Sequence, residues 1–299
     1  MKKFRFLLEA AVFAVILRAA LLLPRRVLLA IGSGVGWLES VLDRRHSRVA
    51  LANLRSVYGP ELPEKEIRRI ARACWRHFGR TLFDSLAFPK LSAKSVGTVV
   101  EYEGLEHIRA AYARGKGVIL FSAHFGHWEL VALMQGYLGM PLALVARPLD
   151  NHRLERMVAG LRSGSGNTVV HKRSAWRAML EAIRRKIGVA IMMDQDARGQ
   201  GVFVPFLGRP ASTTPSLALL ALRTGAAVVP VYSLPLEGGR WKVVYQPEVE
   251  VRETGDRDAD VLRVTAECTA IVESWVRSHP ELWLWMHRRF KTAPPGGNA

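Results

Sequence analysis

The segment from Gly117 to Leu130, GVILFSAHFGHWEL, places a histidine and a carboxylate where they could act on a hydroxyl. Gly117 to Ser122 is a short apolar run, rich in β-branched and aromatic residues, and predicts a buried strand. Ala123-His124-Phe125-Gly126 is then the turn off its carboxyl end. From His127, the residues Trp128, Leu130, Val131, Leu133 and Met134 follow a helical pattern. His124 therefore sits where a strand hands over to a helix, the usual ligand position in an open α/β sheet. On one continuous helix the five steps to Glu129 would turn about 500° and part the two side chains. With His124 in the turn, Glu129 can reach back to its ring. A carboxylate on one imidazole nitrogen fixes the tautomer and supports the imidazolium, leaving the other nitrogen to take a proton from a hydroxyl. The sequence has no Gly-x-Ser-x-Gly, and Ser122 lies on the strand side of His124. Direct attack by a substrate hydroxyl, without a covalent enzyme intermediate, is the expected step.

The spacing alone is short and common, and also fits a capping histidine beside a solvated glutamate. A metal site of His124, His127 and Glu129 is a further alternative, but no other His or Cys cluster completes a coordination shell. No metal and no nucleotide cofactor are expected.

The elements around this segment read as one large α/β domain. At 299 residues, 49% of them apolar, the chain can bury a sizeable core. Strands are predicted at Val96 to Glu103, Pro141 to Arg147, Thr168 to His171, Gly188 to Met193, Ala226 to Leu234 and Trp241 to Arg252. Helices are predicted between them, ending with Ala259 to Ser278. This pattern implies a mostly parallel central sheet flanked by helices. The strand at Gly188 delivers Asp194, Gln195 and Asp196 to the same sheet edge as His124. Arg198 to Thr214 (RGQGVFVPFLGRPASTT) reads as a Gly/Pro-rich loop. The chain divides into a helical segment over 1–42, the α/β domain over 43–291 and a flexible Pro/Gly tail over 292–299.

Lys plus Arg outnumber Asp plus Glu by 43 to 26, a net charge of +17. Such a balance calls for a polyanionic partner: nucleic acid, an anionic membrane surface or a phosphorylated substrate. No zinc finger, RNA-recognition signature or helix-turn-helix places the charge on a groove, so nucleic acid is not the expected partner. Phe6 to Leu23 is apolar but interrupted by Glu9 and Arg18. No small-residue cleavage site follows it, as a signal peptide would require. Two arrangements remain open: a marginal span with Arg18 snorkelling, or a helix lying in the interface with Lys2, Lys3, Arg5, Arg25 and Arg26 at the headgroups. Either makes 1–42 a membrane-associating segment. Cys74 and Cys268 read as buried thiols of a reducing compartment.

Ser-Ala-His-Phe-Gly-His-Trp-Glu129 resembles the His-x4-Asp/Glu signature of the lysophospholipid acyltransferase superfamily, and more closely the lipid A late acyltransferases and the phosphatidylinositol mannoside acyltransferases. Further motifs lie in order along the chain: Gly104-Leu-Glu-His107 before this stretch, then Arg162-x3-Gly166, Asp194-Gln-Asp196, Phe206-x-Gly-x-x-Ala-x-Thr213 and Trp285-x-His-Arg-Arg289. The resemblance runs from about Arg45 to Lys291. It implies O-acyl transfer from an acyl thioester, of acyl carrier protein or CoA as co-substrate, to a phosphorylated glycolipid hydroxyl at the cytoplasmic face of a bacterial inner membrane. His124 would be the general base and Glu129 its support. Gly126, Trp128, Arg147, Arg162, Asp194, Asp196 and Thr214 would lie around the substrates. Arg162 and a backbone N–H of the turn are both candidates to stabilise the oxyanion. Acylation of a lysophospholipid or a phosphatidylinositol mannoside from acyl-CoA is the alternative reaction. A non-catalytic basic membrane-binding module is the alternative of another class.

Overall fold

The computed structural model describes residues 2–146, 148–171 and 175–295. A seven-stranded sheet runs in the order β1 (Val100–Glu103), β9 (Trp241–Tyr245), β8 (Ala227–Pro235), β2 (Val118–Ser122), β5 (Gly188–Met192), β3 (Leu142–Ala146), β4 (Thr168–His171). Neighbours are parallel except β8 and β9, which form an antiparallel pair. Strand β2 lies at the middle, with all five residues buried. Its alternation feeds two apolar layers: Ile119 and Phe121 join one, Val118 and Leu120 the other. The first layer is covered by α3 (Arg44–Tyr58), α4 (Glu64–Ser85), α8 (Ala175–Arg184), α9 (Ser216–Thr224) and α10 (Arg257–Ser278). The second is covered by α5 (Leu105–Ala113) and α6 (Trp128–Tyr137). This is the expected α/β fold with a mostly parallel sheet between helices.

Three stretches differ from the sequence reading. The Gly/Pro-rich stretch after Arg198 is a β-hairpin, β6 (Val202–Phe206) with β7 (Arg209–Thr213), whose two-residue turn has Leu207 and Gly208 at positive φ. Its prolines disguised it: Pro205 and Pro210 pair across the ribbon, which a two-stranded ribbon tolerates and a central strand does not. Strand β9 stops at Tyr245 rather than Arg252, just before Pro247, which has no N–H for the ladder. Val96 to Thr98 is a turn of 3₁₀-helix ahead of the shorter β1.

The amino-terminal helices α1 (Lys2–Leu22) and α2 (Arg25–Leu42) bend apart at Pro24. Helix α2 lies on α4 with backbones touching: a Cβ on Gly32 would stand 2.6 Å from Gly79 O, and one on Gly36 only 2.1 Å from Trp75 O. Such close approach needs glycine on both helices, and Gly79 supplies the α4 side. Among the described residues no helix is long and apolar enough to cross a membrane. Yet fourteen of the seventeen large apolar residues exposed among them lie on α1 and α2, including Leu8, Val12, Val15 and Trp37. An apolar surface of that extent marks an interaction face.

Candidate active site

The turn after β2 is held from three sides. Phe125 forms an antiparallel bridge with Trp283, in which Gly126 N–H donates to Leu282 O at 3.0 Å and Leu284 N–H to His124 O at 3.0 Å. From β8, Ser233 Oγ accepts the His127 N–H at 2.8 Å. From α4, His77 Nε2 stands 3.0 Å from Gly126 O. Gly126 has φ +58°, and a Cβ there would lie 2.1 Å from Ser233 O, so the turn closes only with glycine. Gly126, which the sequence places near substrate, serves the backbone path of the turn.

The ring of His124 is oriented by Asp194, not by Glu129. Nδ1 donates to Asp194 Oδ1 at 2.9 Å, and the His124 backbone N–H donates to Oδ2 at 2.8 Å. Trp283 Nε1 donates to the same Oδ2 at 2.8 Å. The sheet register explains the meeting. Ser122 lies opposite Met192 in the β2–β5 pair, so the residues two steps beyond each strand, His124 and Asp194, face one another. Burial alone would raise the Asp194 carboxyl; the charge and hydrogen bonds of His124, with the Trp283 N–H, overcome it and hold the group at about 2. For His124 burial lowers the pKa, but Asp194, with a smaller contribution from Glu129, outweighs it and raises the imidazole above its ordinary value. Among the described residues the other nitrogen, Nε2, faces only the Gln195 side-chain amide, at 3.3 Å. His124 keeps 19% of its side chain exposed, against 2% for Asp194. A buried carboxylate thus fixes one nitrogen and the other is presented at the surface, an arrangement that can take a proton from a hydroxyl.

Glu129 instead holds Arg162. Helix α6 begins at Trp128, so Glu129 lies in its first turn and points across to α7 (His152–Ser163). Arg162 Nε donates to its two oxygens at 3.0 and 3.2 Å, and Nη2 donates at 2.5 Å. The pair is a forked, partly buried ion pair, which fixes the guanidinium plane. Arg162 Nη1 has no partner among the described residues. Both charges act on the His124 ring, Glu129 raising and Arg162 lowering its affinity for a proton.

The other predicted residues divide. Trp128 packs edge-on to the His124 ring, centroids 5.2 Å apart, and stacks on Phe78. Asp196 accepts from Thr292 Oγ1 at 2.9 Å, and its N–H donates to His287 Nε2 at 3.1 Å, so it ties the carboxyl-terminal segment to the sheet edge. Thr214 bonds locally to Ser216 at the start of α9. Arg147 lies outside the described residues. A shared metal site is not formed by His124, His127 and Glu129, which face Asp194, Asp84 and Arg162 respectively. Both cysteines are buried, and burial pushes their thiols up to about 12.

Sequence reasoning missed Asp194 as the ring's partner, Trp283 and the buried Arg289. Arg289 is fully enclosed. It donates to Ser212 O at 2.5 Å, Gln195 O at 3.2 Å and Thr213 Oγ1 at 2.5 Å, joining the β6–β7 hairpin to the Asp194–Asp196 edge. Trp283 and Trp285 are core residues, 1% and 0% exposed. Only the Trp-x-His-Arg-Arg pattern marked this segment, and a pattern does not say what an indole bonds.

The profile of the family described as bacterial lipid A biosynthesis acyltransferase matches residues 1–292. The chain is 30% identical over 283 residues to a lipid A biosynthesis acyltransferase of Haemophilus influenzae, covering 93% of this chain and 88% of the relative. It is 28% identical over 277 residues to the lipid A biosynthesis lauroyltransferase of Escherichia coli, covering 92% and 88%. To the phosphatidylinositol mannoside acyltransferase of Mycolicibacterium smegmatis it is 24% identical over 243 residues, covering 75% and 77%. With almost its whole length matched, this chain belongs to the bacterial lipid A biosynthesis acyltransferase family and is an acyltransferase.

Proposed function

We propose that the protein moves a fatty acyl chain from an acyl thioester, carried by acyl carrier protein or CoA, to a hydroxyl of a lipid A precursor or similar phosphorylated glycolipid. The observation that carries this reading is the His124–Asp194 pair, with Nε2 open and the Glu129–Arg162 fork beside it. The acceptor hydroxyl takes the place of the Gln195 amide at Nε2. As its oxygen attacks the thioester carbonyl, the proton passes to Nε2 and Asp194 balances the imidazolium. The negative charge that develops on the carbonyl oxygen needs a preorganised donor. The turn's N–H groups at His124, Gly126 and His127 are already committed, which leaves the Phe125 N–H and Arg162 Nη1, and the charged guanidinium is the stronger donor. When the tetrahedral intermediate collapses, the C–S bond breaks and the thiolate takes the proton back from His124. No metal or nucleotide is required by this sequence of steps.

The exposed apolar side chains of α1 and α2, with the net charge of +17, support attachment to an anionic bilayer through helices lying in the interface, and the proposed setting is the cytoplasmic face of the inner membrane. The lipid A acyltransferase relatives align over more of the chain than the phosphatidylinositol mannoside acyltransferases do, which supports a lipid A precursor as acceptor. The test is mass spectrometry of a lipid A precursor in detergent micelles, incubated with full-length protein and dodecanoyl carrier protein or dodecanoyl-CoA. A mass gain of one acyl group that vanishes in His124→Ala is expected. No gain with either donor, or an equal gain in the variant, overturns the reading.

A further inference from the structure

Asp84, on α4, is a second buried carboxylate beside the His124 turn, and it is tied to the amino-terminal helices. Its side chain is 2% exposed. Arg25, the first residue of α2, grips both oxygens, Nε to Oδ1 at 2.7 Å and Nη2 to Oδ2 at 2.5 Å. Trp241 Nε1 donates to Oδ2 at 2.9 Å. His127 Nε2 stands 3.4 Å from the same oxygen, ion-pair distance rather than a full hydrogen bond. The third guanidinium nitrogen of Arg25 donates to Gly239 O.

His127 closes the turn that begins at His124. It is the N-cap of α6: its Nδ1 accepts the Leu130 N–H at 3.4 Å, and its ring lies between Phe88 and Trp241. Helix α6 carries Trp128 and Glu129. A continuous chain of contacts thus runs from Arg25 through Asp84 and His127 to both halves of the site. Helix α4 holds the turn at a second point, His77 on Gly126 O. The glycine contact between α2 and α4 leaves little room for one helix to shift without the other.

The charges explain why Arg25 matters. A carboxylate this deep needs a cation, and Arg25 is its arginine partner. Without Arg25, the arginine left beside Asp84 is Arg80 of α4, whose guanidinium lies over the Trp241 ring and does not grip the carboxylate. With Arg25 gone, Asp84 loses the fork that fixes its oxygens against Trp241 Nε1 and His127 Nε2, and the N-cap of α6 loses its backing.

We propose that Arg25 and Asp84 are positioning residues for the turn that carries His124, so that the amino-terminal helices form part of the support of the active site as well as its apolar face. The proposal rests on the reading of His124 as the base.

The experiment uses full-length protein in detergent micelles and five variants: Arg25→Gln, Arg25→Lys, Asp84→Asn, the double Arg25→Gln/Asp84→Asn, and Arg109→Gln on α5 as an exposed control. The His124 imidazole nitrogen and proton resonances, assigned with His124→Ala, are followed beside melting temperature and transfer of the dodecanoyl group from its carrier-protein thioester to a lipid A precursor. Arg25→Gln is expected to shift the His124 signals and to lower kcat on the order of 10- to 100-fold, with KM for both substrates little changed. Arg25→Lys recovers part of both, and Arg109→Gln matches wild type. The double variant removes the unpaired charge and recovers melting temperature, but neither kcat nor the His124 signals. Folded Arg25→Gln protein with wild-type His124 signals overturns the proposal whatever its rate. A double variant that recovers signals and kcat along with stability also overturns it, because the pair would then serve charge balance alone. If the wild-type protein transfers no acyl group while its His124 signals still answer to Arg25→Gln, the functional reading falls and the positioning link stands.

Discussion

Asp194 holds His124 at two points, its side chain through Nδ1 at 2.9 Å and its backbone N–H at 2.8 Å. One carboxylate therefore sets both the path of the turn and the tautomer of the ring. Glu129, five residues along the chain, is left to orient Arg162. In the proposed reaction the two carboxylates have separate tasks, one for the proton and one for the charge that appears on the substrate.

The first prediction is the pH dependence of transfer. His124 must be neutral to accept a proton, and the structure raises its pKa. The acid limb of kcat/KM is expected above the ordinary imidazole value of about 6.5. In Asp194→Asn the burial that lowers the pKa remains and the charge that raised it is gone, so the limb moves to lower pH. Its kcat falls by about 10²-fold or more, because the tautomer is no longer held. A pH–rate profile of the folded variant matching wild type in both limb and maximum removes Asp194 from this role.

Glu129 and Arg162 should fail together. Glu129→Gln and Arg162→Ala are each expected to lose most activity, and the double variant little more than either, since residues acting as one unit give non-additive losses. Arg162→Lys should recover little, because an ammonium cannot reproduce the fork. If Glu129 supported the imidazolium directly, its removal would cost as much in the Arg162→Ala background as in the wild type. Kinetics of the four-member cycle at saturating donor decide between the two.

These cases show what was legible in the residues. The strand, turn and helix around His124 are local patterns, and a run such as Val118-Ile-Leu-Phe121 states its burial openly. The pairing of β2 with β5 is not local. Until Ser122 is known to face Met192, nothing in the sequence says that Asp194, seventy positions on, reaches His124 before Glu129 does. The same limit hid Arg25 and Asp84, whose meeting depends on α2 lying against α4. The hairpin after Arg198 was masked by prolines that usually argue against a strand.

The apolar face of α1 gives a prediction about membranes. Leu8, Val12 and Val15 lie on one side of the helix and are 55%, 50% and 65% exposed. Each is about half exposed, so burying what remains in a bilayer is worth on the order of 1 kcal/mol. Replacing all three by glutamine should therefore lower the fraction of full-length protein that sediments with anionic phospholipid vesicles by more than about tenfold. Unchanged sedimentation would take α1 out of the lipid contact and leave α2 to carry it.

Two glycines with similar backbone angles should respond differently to alanine. Gly126 and Gly139 both have positive φ, +58° and +76°. A left-handed conformation costs a non-glycine residue about 1–2 kcal/mol, so both alanine variants lose that much stability. At Gly139 nothing lies within 4 Å of the added methyl, and the loss ends there. At Gly126 the methyl meets Ser233 O at 2.1 Å and Ser233 Oγ at 2.8 Å. That strand is buried and cannot yield, so the turn must move instead. The bonds from Gly126 N–H to Leu282 O and from His127 N–H to Ser233 Oγ would stretch, and His124 would leave its place over Asp194. Gly139→Ala should retain wild-type turnover with a small drop in melting temperature, while Gly126→Ala loses about 10²-fold or more in kcat at temperatures where it is still folded. Comparable turnover in the two variants would show that the tight closure of the turn against β8 is not what holds His124.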